Sequence, residues 1–215
     1  LLLLDAKHWR YQKRPWTLYV AKDSERDIPI CALLLPRSEL RAGYDKILER
    51  LKRHGASIEA VISDWHVSIR AAVADHLPQA VHQRCAAHVL QDVFRIIHGT
   101  RVLKTPYGRQ LWNHIREVVL QYQVLFAAQR HLARLFLEYP EQQRALRALA
   151  RALPALYHFT GRRDLPIPRT SNQIENLMGF LEHRLKTMRG VKTPRMYLGI
   201  IAELFRLKVK RPTKK

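Results

Sequence analysis

Three acidic residues stand where metal-assisted chemistry on a phosphodiester would need them. Asp5 closes the apolar run of residues 1–4, and Asp64 closes the run of residues 58–63. Both runs read as strands, and open α/β sheets place their sites at the C-terminal ends of strands. If the two strands are neighbours, the carboxylates converge. Close carboxylates repel one another, and a divalent cation resolves the repulsion. Glu175 is the third candidate, following a loop that carries Pro166 and Pro168 and opening a helix. Oxygen donors suit Mg²⁺ or Mn²⁺. Two such ions about 3.5–4 Å apart activate an attacking hydroxyl and stabilise a leaving oxygen. A plainer role stays open for each: Asp64 as a cap on the helix starting near His66, Glu175 as a carboxylate favoured at a helix N-terminus.

The remaining reactive side chains are fewer. Cys85 and His88 are three apart and share a helix face. Structural zinc wants four ligands, and Cys31 and His82 are the conceivable additions. A buried pair supporting the site or touching nucleic acid is the other reading. A Cys–His hydrolase would also need an orienting group and an oxyanion hole, and neither is visible. His66 either touches a phosphate or starts its helix.

The charge points to a polyanion. The chain has 215 residues, 38 Lys plus Arg and 18 Asp plus Glu, a formal net charge of +20. Residues 1–100 carry +4 and residues 101–215 carry +16, ending in a basic tail. Such an excess favours nucleic acid as partner, with a membrane surface or plain solubility as alternatives. Two cysteines cannot make a disulfide scaffold, which favours a cytoplasmic protein, and no apolar run approaches the length of a membrane span. The chain does not begin with Met and opens inside a strand-like run, as a fragment would.

These residues need a scaffold, and the pattern supplies one. Residues 16–21 and 28–35 are strand-like, with a charged hairpin turn at 22–27. Ser38 is placed to cap a helix that runs through Leu40, Tyr44, Ile47, Leu48 and Leu51 and stops near Gly55. A strand follows at 58–63, a helix at about 67–76, a short strand at 80–82 and a helix at 83–97. Residues 106–157 show helical periodicity and no convincing strand. Further helices start near Ser171 and Pro194. The expected fold is α/β: a mixed five-stranded sheet with flanking helices and an all-helical insertion before the third acidic residue. The expected division is a core over 1–100, the insertion over 101–160, and a return to the core over 161–215.

Three segments occur in a telling order: Val61-Ile62-Ser63-Asp64-Trp65-His66, His82-Gln83-Arg84-Cys85-Ala86-Ala87-His88, and Thr170-Ser171-Asn172-Gln173-Ile174-Glu175-Asn176. Together they resemble the catalytic domain of the IS256-like and Mutator-like DDE transposases, and the resemblance covers nearly the whole chain. It implies an RNase H-like fold with a helical insertion. It implies catalytic and metal-binding roles for Asp5, Asp64 and Glu175, two Mg²⁺ or Mn²⁺ ions, and supporting roles for Cys85, His88, Asn172 and His66. The implied reaction is DNA strand cleavage and transfer on double-stranded DNA by a homo-oligomer, associated with the nucleoid when on DNA. Arg84, Arg184, Lys186, Arg189, Lys192 and Arg195 would hold the phosphate backbone, positioning it rather than reading its sequence. The family usually has Gly after its second aspartate, where this chain has Trp65, and its N-terminal DNA-binding domain would lie before Leu1. The rival readings are a metal-dependent RNase H-like nuclease and a catalytically inactive, transposase-derived DNA-binding protein.

Overall fold

The computed structural model describes residues 1–11, 13–36, 40–161, 164–187 and 193–210. In chain order the elements are β1 (Leu2–Tyr11), β2 (Arg14–Asp23), β3 (Ile28–Pro36), α1 (Arg41–Arg53), β4 (Ala60–Ser63), α2 (Val67–His76), β5 (Val81–Arg84) and α3 (Ala86–Ile96). There follow α4 (Gly99–Val102), α5 (Pro106–Leu120), α6 (Leu125–Glu138), α7 (Gln143–Leu156), α8 (Asn172–Thr187) and α9 (Pro194–Lys210). The strands form one mixed sheet in the order β3-β2-β1-β4-β5. The β1–β2 and β2–β3 pairs are antiparallel, and β1–β4 is parallel. This is the α/β, RNase H-like arrangement expected from the sequence. No helix among the described residues is long and apolar enough to cross a membrane.

The chain groups into two compact units, residues 1–81 with 171–215, and residues 82–170. In the first, Leu2, Leu4, Tyr19, Ala21 and Val61 on the sheet pack with Tyr44, Ile47, Leu48 and Leu51 of α1 and Ile69, Ala72 and Val73 of α2. The Tyr19 hydroxyl accepts the Leu40 N–H at 2.8 Å and donates to the Leu40 carbonyl at 3.2 Å, which fixes where α1 begins. A Cβ on Gly43 would lie 2.2 Å from that ring, so only glycine lets helix and ring approach this closely. The Ser38 cap expected from the sequence lies outside the described residues.

The second unit is helical. Val89 and Val93 of α3, Leu111, Ile115 and Val118 of α5, Leu132 and Leu135 of α6, and Leu146, Leu149 and Leu153 of α7 share one core. The helix expected over 83–97 begins only at Ala86, because Gln83 belongs to a strand. Its buried amide donates to the Pro168 carbonyl at 2.9 Å and accepts the Phe159 N–H at 2.8 Å. The Ala86 N–H donates to the Arg169 carbonyl at 2.8 Å, so the two chain ends of this unit are stitched together.

Candidate active site

Strand pairing sets the positions of the two aspartates. In the β1–β4 ladder Leu2 faces Val61 and Leu3 faces Ile62. Asp5 and Asp64 each lie two residues beyond the Leu3–Ile62 pair, past the end of the ladder. Asp64 directly follows β4, as expected. Asp5 does not end its strand: β1 continues to Tyr11, paired with β2 along its whole length. The sequence hid this because the second half of β1 is polar. Asp5 lies instead just past the last β1–β4 pair.

Alternation then sets the face. Leu2, Leu4 and Val61 point into the core beneath α1 and α2. Leu3, Asp5 and Lys7 therefore project from the opposite face, in phase with Ile62. α8 covers that face. Ile174, Leu177, Met178 and Leu181 are its buried stripe. Lys7 Nζ meets Glu182 Oε2 at 2.8 Å and ties the middle of α8 to β1. Lys22, opposite Leu3 in the β1–β2 ladder, donates to the Gln173 carbonyl at 3.0 Å and ties the start of α8 to β2. Glu175 lies between these tethers. Its Oε1 accepts from Ser171 Oγ at 3.0 Å, and its N–H donates to the Ser171 carbonyl at 3.1 Å.

Lys22 was read from the sequence as part of a turn, and the structure corrects this. It is 1% exposed and ion-paired with Asp27. The β2–β3 register shifts between Ala21 and Lys22, and such an irregularity re-aims a side chain next to a site. The hint in the sequence was a lysine followed five residues later by Asp27, too common a pattern to single out.

The turn after β4 is built by side chains on backbone. Asp64 Oδ1 accepts the His66 N–H at 2.9 Å, and Ser63 Oγ accepts the Trp65 N–H at 3.2 Å. His66 is itself the cap of α2, its Nδ1 accepting the Ser68 N–H at 3.4 Å. Asp5 Oδ1 accepts the Ala6 N–H at 2.8 Å. Trp65 has φ +73, the left-handed region that favours glycine. Its ring is 5.6 Å from the Arg70 guanidinium.

The donors are all carboxylate oxygens, the set that suits Mg²⁺ or Mn²⁺. Among the described residues, the three carboxylates do not form a set whose oxygens all lie within 4.8 Å of one another. A pair of ions about 3.5–4 Å apart is flanked from different sides and sets no such requirement.

The other candidates are placed as follows. Asn172 is the exposed first residue of α8. Arg184 is exposed on α8, its guanidinium 5.5 Å from the Phe180 ring. Arg195 is exposed in the first turn of α9. Lys186 belongs to α8, with its side chain outside the described residues, as are Arg189 and Lys192 altogether. Cys85, His88 and Arg84 belong to the helical unit. Cys85 is the buried N-cap residue of α3, His88 sits in the first turn, and Arg84 pairs with Asp92 at 2.7 Å. Cys31 lies on β3 in the first unit, where burial pushes its thiol pKa up.

The model of the transposase Mutator family matches residues 17–185. The chain belongs to the Mutator family of transposases. The matched stretch holds Asp64, Glu175 and the helical unit between them, while Asp5 precedes it. A curated relative, the transposase for insertion sequence element ISRM5 of Rhizobium meliloti (strain 1021), is 29% identical over 98 residues. That alignment covers 42% of this chain and 25% of the relative, so the chain spans about a quarter of that protein's length.

Proposed function

We propose that this Mutator-family chain carries the catalytic centre for cutting DNA strands at the ends of a mobile element and joining them to target DNA. Asp5, Asp64 and Glu175 are its catalytic and metal-binding residues. The observation that carries the reading is that Asp5 and Asp64 both lie two residues beyond the last pair of the parallel β1–β4 ladder, while the helix bearing Glu175 is tied to β1 through Lys7 and Glu182.

The three carboxylates would hold two Mg²⁺ or Mn²⁺ ions. When bound, such ions favour deprotonation of the attacking water or 3′-hydroxyl and stabilise the leaving oxygen. The chain's own residues do the rest. Lys22 and Ser171 hold Glu175 in place from the backbone and the side chain. Asp64 orders the turn into α2 through the His66 N–H. Arg184, Arg195 and their basic neighbours hold the phosphodiester backbone of double-stranded DNA and offset its repulsion of an incoming oxygen nucleophile. Bringing two element ends together calls for a homo-oligomer.

The test is a supercoiled plasmid incubated with a short duplex bearing free 3′-hydroxyls. The expected products are nicked plasmid and duplex joined to plasmid, both requiring Mg²⁺ or Mn²⁺. Asp64→Asn is expected to lower product formation at least about 100-fold while leaving the gel-shift affinity for DNA within a few fold. Cut ends without joined products would indicate a nuclease. DNA binding with no metal-dependent product would indicate a DNA-binding protein without catalysis.

A further inference from the structure

The helical unit holds a second set of donor groups, chemically unlike the first. His114 and Glu117 sit one turn apart on α5 and present to the same side. α6 brings His131 against them. His131 Nε2 lies 3.2 Å from His114 Nδ1. The Glu117 carboxylate lies 3.8 Å from His114 Nδ1 and 3.9 Å from His131 Nδ1. One donor atom from each residue lies within 4.8 Å of those of the other two. Ligands at about 2.0–2.1 Å from a tetrahedral Zn²⁺ stand roughly 3.3 Å from one another, close to the 3.2 Å between the two ring nitrogens and the 3.8 Å from His114 Nδ1 to the Glu117 carboxylate.

The surrounding hydrogen bonds set the rings up as ligands. The Tyr122 hydroxyl lies 3.0 Å from His131 Nδ1 and donates to Glu117 Oε1 at 3.4 Å. In the arrangement in which that hydroxyl donates to Glu117, His131 donates from Nδ1 and its Nε2 lone pair faces His114 Nδ1. A dication between the rings would satisfy both nitrogens and the Glu117 charge together. Tyr122 would hold the His131 ring from its far side, as outer partners of ligating histidines do. The His131 side chain is 11% exposed, whereas His114 is 29% and Glu117 37% exposed. The set is anchored at the helix interface and open to solvent on one side, which gives an ion its path and a water its ligand position.

We propose that His114, Glu117 and His131 form a site for a divalent transition metal of the Zn²⁺ class that clamps α5 to α6. Two imidazoles and one carboxylate select ions of this class, whereas three carboxylates select Mg²⁺ or Mn²⁺. The proposal does not rest on the DNA chemistry, and its test does not use it.

The test titrates Co²⁺, a spectroscopic stand-in for Zn²⁺, into the whole chain near neutral pH. One equivalent is expected to give the visible bands of low-coordinate cobalt, Zn²⁺ is expected to displace them, and Zn²⁺ is expected to raise the melting temperature. His114→Gln and His131→Gln, each checked for its helical circular dichroism, are expected to lose the bands and the thermal shift. Asp64→Asn is expected to keep both. Bands that survive in both histidine variants overturn the proposal. So does a near-ultraviolet thiolate charge-transfer band, which would place the ion on a cysteine, and so does uptake by the parent chain no greater than that of His114→Gln.

Discussion

Trp65 holds the strained residue conformation nearest the candidate site. A side chain at φ +73 costs about 1–2 kcal/mol relative to its relaxed backbone. Glycine at this position would avoid that cost, and the Trp65 ring gains its contact with Arg70 instead. The strain gives a test of sign. Both Trp65→Gly and Trp65→Ala lose the ring, yet the glycine variant is expected to be the more stable by about 1 kcal/mol in urea unfolding. At ordinary positions alanine is the better of the two. Lys22 gives a second test. Lys22→Met strands the Gln173 carbonyl and leaves Asp27 unpaired, at an expected cost of about 2 kcal/mol. With α8 released from β2, turnover is expected to fall more than DNA affinity does.

Tyr157 sets an alkaline limit. Its buried hydroxyl donates to the Val118 carbonyl at 2.6 Å, and burial pushes its pKa up to about 12 from an ordinary 10. The folded state therefore keeps a proton that the unfolded chain gives up. Its contribution is complete below pH 10 and is lost as the pH rises towards 12. Melting temperature is expected to fall across that window, and Tyr157→Phe is expected to flatten the fall while costing about 1 kcal/mol at neutral pH.

Among the elements, α1 shows how closely sheet and helix are matched. Gly43→Ala drives a methyl into the Tyr19 ring. The expected cost is about 1–3 kcal/mol, read as an earlier urea midpoint with an unchanged slope. Elements with strong periodicity were legible: β2, β3, α2, α8 and α9 lie within a few residues of their expected places, and the helical stretch expected over 106–157 resolves into α5, α6 and α7. Those governed by pairing were not. The polar half of β1 exists because β2 continues beside it, and neither Lys7 nor His8 announces a strand. Gln83 suits a helix by composition, and it is the pairing of β5 at the sheet edge that makes it a strand residue. The His114 and Glu117 spacing was visible on one helix, but the return of His131 from the next depends on how α5 and α6 pack.

For the whole molecule, the family was legible because its motifs are short and stand in a fixed order. The geometry among the three acidic residues was not, since it depends on a strand register and on α8 returning to the sheet after the helical unit. The charge was legible as a number and is a prediction about binding. With +16 in residues 101–215, DNA affinity is expected to fall steeply and linearly in log–log salt titration, and each neutralised phosphate contact adds about 0.9 to the slope. Replacing Arg184 and Arg195 with Gln is expected to lower that slope by roughly 2.

The third acidic group reaches its place only through α8, whose start is held by Lys22, 151 positions earlier in the chain. During synthesis the sheet and the helical unit leave the ribosome first, and domains fold as they emerge. Until α8 follows, the nascent polypeptide presents two aspartates without their glutamate. On the proposed assignment, a nascent chain that has not yet added α8 carries two of the three acidic groups, and a product terminated before α8 is expected to show no metal-dependent nicking in the plasmid assay. The order of translation would then act as a safety catch.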